Sequence, residues 1–271
     1  MIKTNSTAST LNKIQYFVLS VILLVAATPS AHAQIIQIDF GNAVSPIQSG
    51  WTYWGLETTG STFLPSKTFV TSAGSITATI SSNFTLDGSG NLQASAVAPS
   101  TRDRSLETPA NSGAFTESNL YRDMVINVGS GGGLALELSG LTPNTQYSLT
   151  LYDYDAGTDA TTVATRTNVF TNITNGASAN LGSVTYKTVP AGGTLTINEQ
   201  YTVTATLTSD SSGRLIVTEA KNSFAGQTDN FAGLNGFSLS SIPEPSAYFA
   251  FLLSGVGIFA ILGTRKLKSI S

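Results

Sequence analysis

The chain has 271 residues, no cysteine, one histidine and a formal net charge of −3. Only 11% of its residues are charged, against about 25% in an ordinary globular domain. The one histidine, His32, falls in a segment that reads as a removable leader, so the exported part would hold neither His nor Cys. That excludes disulfides, thiolate or imidazole metal sites, haem held through either ligand, and Ser–His–Asp or Cys–His catalysis.

The N-terminus carries Lys3 and Lys13, then an apolar run of 11 residues from Phe17 to Ala27, then Thr28-Pro29-Ser30 and Ala31-His32-Ala33. A positive start, a short apolar run, a helix break and a small-x-small site form the secretory pattern. The run is too short to span ~30 Å of hydrocarbon comfortably. An uncleaved anchor is the alternative. Ala31 and Ala33 mark the predicted cleavage site, and residues 1–33 are read as a signal peptide.

Residues 34–242 hold 15 Asp+Glu and 8 Lys+Arg, a net charge of −7. This balance argues against nucleic acid and anionic lipid as partners. Period-two alternation of apolar and polar residues predicts strands at 34–40, 75–80, 124–128, 134–138, 146–152, 201–207, 215–218 and 234–239. Gln146-Tyr147-Ser148-Leu149-Thr150-Leu151-Tyr152 alternates most cleanly. Asp87–Asn91, Gly140–Asn144, Ala191–Gly193 and Ser211–Gly213 supply turn residues between them. No segment here has a helical period. The stretch from Ala98 to Glu117 lacks periodicity and is expected to be a long loop of the kind that often carries function. The prediction is one all-β domain, an antiparallel β-sandwich.

After Ser241-Ile242 the chain reads Pro243-Glu244-Pro245-Ser246, an uncharged stretch to Thr264, then Arg265, Lys266 and Lys268. From Ser246 to Thr264 is 19 residues, roughly 28 Å as a helix and enough for one crossing. The expected membrane helix is 247–264, with the basic end on the cytoplasmic side. The tail from Pro243 to Ser271 resembles the PEP-CTERM sorting signal of Gram-negative bacteria. The resemblance implies secretion, recognition by an exosortase that processes the tail near Pro243, Glu244 and Pro245, and a host that exports polysaccharide. Here Arg265-Lys266-Leu267-Lys268 stands where an Arg-rich cluster is more usual. An ordinary single-pass anchor is the alternative.

Ile38-Asp39-Phe40-Gly41, the run from Leu141 to Tyr147 continuing into Leu149–Asp153, and Leu234-Asn235-Gly236-Phe237 resemble galactose-binding-like jelly rolls. Such domains occur in secreted carbohydrate-associated proteins and ahead of PEP-CTERM tails. The likeness implies a jelly-roll-like sandwich and carries over no ligand residue.

Two constellations could carry chemistry. Asp153-Tyr154-Asp155-Ala156-Gly157-Thr158-Asp159 places three carboxylates in seven residues at a strand end. Ca²⁺ takes several oxygen ligands, so Asp153, Asp155 and Asp159 form a candidate site, with a solvated acidic turn as the alternative. No other cofactor is expected. Trp51, Tyr53 and Trp54 could offer flat rings to a sugar, with 51 and 53 on one strand face and 54 on the other. Core aromatics are the alternative. Glu107, Glu117, Asp123 and Glu137 are acids available to a glycosidase, but nothing singles out a pair, and no enzyme is expected. Asp87–Asn91 and Gly129–Gly133 read as turns. The resulting expectation is an exported, surface-sorted protein with a structural or adhesive role in extracellular polysaccharide. A carbohydrate-binding module is the alternative, and a glycan hydrolase a more distant one.

Overall fold

The computed structural model describes residues 34–41, 45–56, 65–72, 74–82, 84–88, 92–93, 98–104, 108, 110–127, 133–155, 157–158, 165–187, 189–190, 200–220 and 232–242. The predicted leader, with Ala31 and Ala33, lies outside them. So does the tail with Pro243, Glu244, Pro245, Arg265, Lys266 and Lys268. Among the described residues no helix is long and apolar enough to cross a membrane.

The strands in chain order are β1 (Gln34–Gly41), β2 (Thr52–Gly55), β3 (Ser66–Thr71), β4 (Gly74–Ser82), β5 (Thr85–Leu86), β6 (Leu92–Gln93), β7 (Ser100–Asp103), β8 (Asp123–Ile126) and β9 (Gly133–Ser139). Then follow β10 (Gln146–Tyr152), β11 (Gly157–Thr158), β12 (Thr165–Asn172), β13 (Ala179–Lys187), β14 (Val189–Pro190), β15 (Thr202–Thr208), β16 (Leu215–Ala220), β17 (Gly233–Leu234) and β18 (Gly236–Ser241). Two main sheets face each other. One has five strands in the order β15-β10-β18-β1-β2, the other six in the order β13-β12-β16-β9-β4-β3. A small sheet β17-β8-β7 accompanies them.

Alternation decides which side chains enter the space between the sheets. Along β10, Tyr147, Leu149 and Leu151 are buried while Ser148 and Thr150 are partly exposed. Leu134, Leu136 and Leu138 of β9 and Ile76, Ala78 and Ile80 of β4 meet them from the other sheet as one core cluster. Each fully buried Leu or Ile contributes roughly 1.5–3 kcal/mol relative to exposure. Turn chemistry sets the entry to β10. Gly140 and Asn144 take positive φ values of 80° and 54°, where Gly and Asn are tolerated. The Thr142 N–H donates to the Tyr147 hydroxyl at 2.9 Å, closing the corner onto the strand.

Three features depart from the expectation. First, β2 joins β1 in parallel, so the five-stranded sheet is mixed. Second, the stretch 98–117 contains a strand, β7, paired antiparallel with β8. Third, β3, β12 and β13 carry weak alternation. The inward residues of β12 are Arg166, Asn168 and Phe170, of which two are polar, so an apolar period is lost there. On the edge strand β3, Lys67 reaches in and donates to the Tyr53 carbonyl at 2.6 Å, a charge that discourages edge-to-edge pairing.

Candidate functional site

The outer face of the five-stranded sheet is a grid of hydroxyls. Thr204, Thr150, Ser238 and Gln37 lie in one row across β15, β10, β18 and β1. Thr206, Ser148 and Ser240 form the next. All are partly or fully exposed. Thr150 and Thr204 join through their hydroxyls at 2.9 Å. Neighbouring strands lie about 4.8 Å apart and alternate residues about 7 Å apart along a strand, so the face offers hydrogen-bonding groups at regular short intervals.

One end of this grid is aromatic. Thr202, Tyr152, Gly236 and Asp39 form the row next to Thr204. Gly236 has no side chain, and the Trp51 ring takes the room: a Cβ there would lie 3.3 Å from Trp51 Cζ3, 2.8 Å from Leu120 Cδ1, and against the Ile38 carbonyl. Trp51 meets Tyr152 edge-on at 4.9 Å between ring centres. Glu117, half-buried, sits near both Tyr121 and Tyr152 and pushes their phenols up. Tyr152 reaches about 12, chiefly by burial, then by Glu117, against a lowering hydrogen bond with Ser238. Burial also raises the Glu117 carboxyl, and its Oε2 is buried with no hydrogen-bond partner among the described residues.

The three predicted sugar-contact aromatics separate as their parity requires. Trp51 and Tyr53 are half-buried. Trp54 is 4% exposed and packs between Phe40 at 5.4 Å and Phe69 at 5.9 Å. Trp54 is thus a core residue and withdraws from the contact set. Its position opposite Phe40 in the β1–β2 pairing turns it inward. A groove of about 500 Å³ runs beside Trp51, lined by Ile36, Gln37, Gly50, Thr52, Lys67, Thr68, Phe69 and Val70. It opens because β2 pairs only with Ile38–Gly41, leaving the first half of β1 uncovered on that edge.

The predicted calcium ligands have other work. Asp155 is fully buried and takes Arg104 Nε at 2.7 Å, Arg166 Nη1 at 2.9 Å and Arg102 Nη1 at 3.5 Å. Asp153, also fully buried, accepts from Asn168 Nδ2 at 2.6 Å. Three guanidinium groups already surround the Asp155 carboxylate, which disfavours a cation beside it. Asp159 lies outside the described residues. Among the described residues no group of three or more His, Cys, Asp or Glu could hold a metal ion.

Burial raises Asp153 and Glu219, the latter from β16, and each is pushed further by a carboxylate neighbour. Tyr154 and Tyr201 stack above this cluster at 4.6 Å, with Tyr186 edge-on at 5.3 Å from Tyr154. Glu117 is one of the four acids that a glycosidase reading would draw on. Asp123 is 2% exposed, Glu137 lies 3.7 Å from Arg214, and Glu107 is outside the described residues.

Another buried acid, Asp39, lies outside the predicted set. Its Oδ2 accepts from the Gln48 N–H at 2.7 Å, tying the loop before Trp51 to β1. Its carboxyl is pushed up to about 8, first by burial, against the Gln48 bond that lowers it, and with Asp123 raising it. An acid with a raised folded pKa keeps its proton in the folded chain while the unfolded chain has lost it, so stability falls as pH rises between the two values. That window runs from 3.8 to about 8. Asp39→Asn keeps the acceptor and is expected to flatten this part of a melting-temperature profile against pH. An identical slope in the variant would contradict the assignment.

No protein-family model and no curated protein matches the chain. Among solved structures it is similar to the ANXUR1 extracellular domain from Arabidopsis thaliana, with 11% identity and a TM-score of 0.45 over 78% of this chain and 49% of that one. It is also similar to the plant receptor-like kinase ANX2, with 11% identity and a TM-score of 0.46 over 78% and 49%. A third is the structure of the plant peptide RALF23 in complex with FER and LLG2, with 12% identity, a TM-score of 0.46 and the same coverages. The chain spans about half the length of these structures.

Proposed function

We propose that the protein is an exported polysaccharide-matrix protein whose β-sandwich adheres to glycan through the hydroxyl face and its Trp51 end. The single observation behind this is Trp51 lying on Gly236 against Tyr152, at the border of an exposed Ser/Thr grid. A flat ring can stack on the C–H side of a pyranose while neighbouring hydroxyls and Gln37 meet the sugar's own hydroxyls. The role is binding and not catalysis. Strands that pass repeatedly from one sheet to the other, as at β9–β10, β13–β15 and β15–β16, support a jelly-roll-like arrangement.

Export rests on the leader-like residues 1–33 and on the tail, which resembles a PEP-CTERM signal. In this reading the secretion machinery and an exosortase handle the chain, and the inner membrane holds it through 247–264 until processing. Cell fractionation of two variants tests both halves. Trp51→Ala should reach the surface but wash off the polysaccharide, while alanines at Pro243, Glu244 and Pro245 should leave the protein in the inner membrane. Full retention of the first variant, or normal release of the second, would remove the corresponding half.

A further inference from the structure

We propose that the groove beside Trp51 takes an acidic sugar, with the carboxylate of a uronic-acid residue on the Lys67 ammonium and its ring over the apolar floor. This rests on the glycan reading above and names its sugar class. The groove, of about 500 Å³, falls in the size range of small-ligand sites. It is the seam between the two main sheets where β2 stops short. Ile36 and Gln37 of β1 line one side, and residues 67–70 of β3, the border strand of the six-stranded sheet, line the other. Ile36 and Phe69 are buried and give an apolar floor, while Gln37, Thr52 and Thr68 are partly or fully exposed and bring neutral hydrogen-bonding groups. Gln37 also belongs to the hydroxyl row that runs from Thr204, so the groove continues the face on which the glycan reading depends.

The charge in the groove is held in place. Lys67 Nζ donates to the Tyr53 carbonyl at 2.6 Å and stands 5.6 Å from the centre of the Phe69 ring, so the side chain is ordered before a ligand arrives. An ammonium has three N–H donors. One goes to Tyr53, which leaves donors for an anion. Three arginines hold Asp155, and Arg214 holds Asp210 and Glu137. Among the described residues, Lys67 belongs to no ion pair and no carboxylate lines the groove. Residues 34–242 carry a net charge of −7, so attraction for an anion is local to this groove and not general to the domain. A neutral sugar would use the hydroxyls and the floor but not the charge. A carboxylate on the ammonium forms a charge-assisted hydrogen bond, roughly twice as strong as a neutral one.

The test is titration of the purified full chain with two hexasaccharides of galacturonic acid, one with free carboxylates and one fully methyl-esterified, which share every ring and differ in charge. The free acid is expected to bind about tenfold more tightly. Lys67→Met keeps an unbranched stem and should abolish that preference, while Lys187→Met, which removes an exposed charge on β13, should leave it in place. Lys67→Met also gives up the Tyr53 bond, so a second pair of variants leaves that bond alone. Val70 is 86% exposed on the groove wall. Val70→Glu should weaken binding of the free acid several-fold relative to Val70→Gln, with the ester bound equally by both. Equal binding of acid and ester to the unaltered chain, a preference that survives Lys67→Met, one lost equally in Lys187→Met, or equal binding of the acid to both Val70 variants overturns the uronic-acid assignment and leaves the glycan reading standing. Binding of neither hexamer overturns it too, and the glycan reading falls with it only if Trp51→Ala also stays on the polysaccharide.

Discussion

Asp155→Ala is expected to cost roughly 3–5 kcal/mol, because it leaves buried guanidinium groups without their anion. That is a large share of the ~5–15 kcal/mol that holds a domain folded. Asp155 joins segments far apart in sequence: Arg102 and Arg104 at the end of β7, and Arg166 of β12. The Arg166 side chain is 7% exposed and that of Arg104 is 11% exposed, so water cannot replace the carboxylate there. Nearby Asp153 and Glu219 are pushed toward their protonated forms by burial and offer little compensation. Urea denaturation of the variant checks this. A loss below about 1 kcal/mol would mean that the arginines relax to solvent and that the ion pairs matter little.

Gly236→Ala should be nearly as damaging, at roughly 2–4 kcal/mol, through overpacking against atoms that cannot move away. The added methyl meets the Ile38 carbonyl of the neighbouring strand, a backbone atom, together with Leu120 Cδ1. Two consequences separate this from an ordinary core mutation. The β1–β18 pairing must shift at Asp39–Gly236, and Trp51 must lift from the sheet. Tryptophan fluorescence should therefore report a more solvated Trp51 under conditions where the variant is still folded. An unchanged spectrum with unchanged stability would place Trp51 elsewhere.

Much of the architecture is legible in the chain because its buried residues are apolar and regularly spaced. The strand 146–152 emerges with the bounds its alternation predicts, and the positive φ of Gly140, Asn144 and Gly213 falls in predicted turns. The polar interior is where that logic fails. Arg166 and Asn168 point inward on β12 because Asp155 and Asp153, just past the end of β10, receive them, and no local pattern announces so distant a partner. The same non-local pairing explains why the Asp153–Asp159 run looks like a cation loop and is in part an arginine anchor. Strand parity separates Trp54 from Trp51 and Tyr53 in the sequence, but which face turns inward is settled only by the fold. Glu117 was visible only as one of several acids, since the burial of its Oε2 arises in the fold. The sharing of Gly236 between a backbone contact and an aromatic ring has no signature in sequence at all.

The placement of the sandwich's two borders has a directional consequence. Gln34 sits opposite Ser240, and the Ile242 N–H donates to the Gln146 carbonyl, so both borders emerge at one pole. Trp51 lies over Gly236, five residues back along β18 from Ser241 and so about 17 Å away toward the other pole. A tether attached beyond Ile242 would grip the molecule at its base and turn its aromatic tip outward, toward whatever lies beyond the anchoring surface.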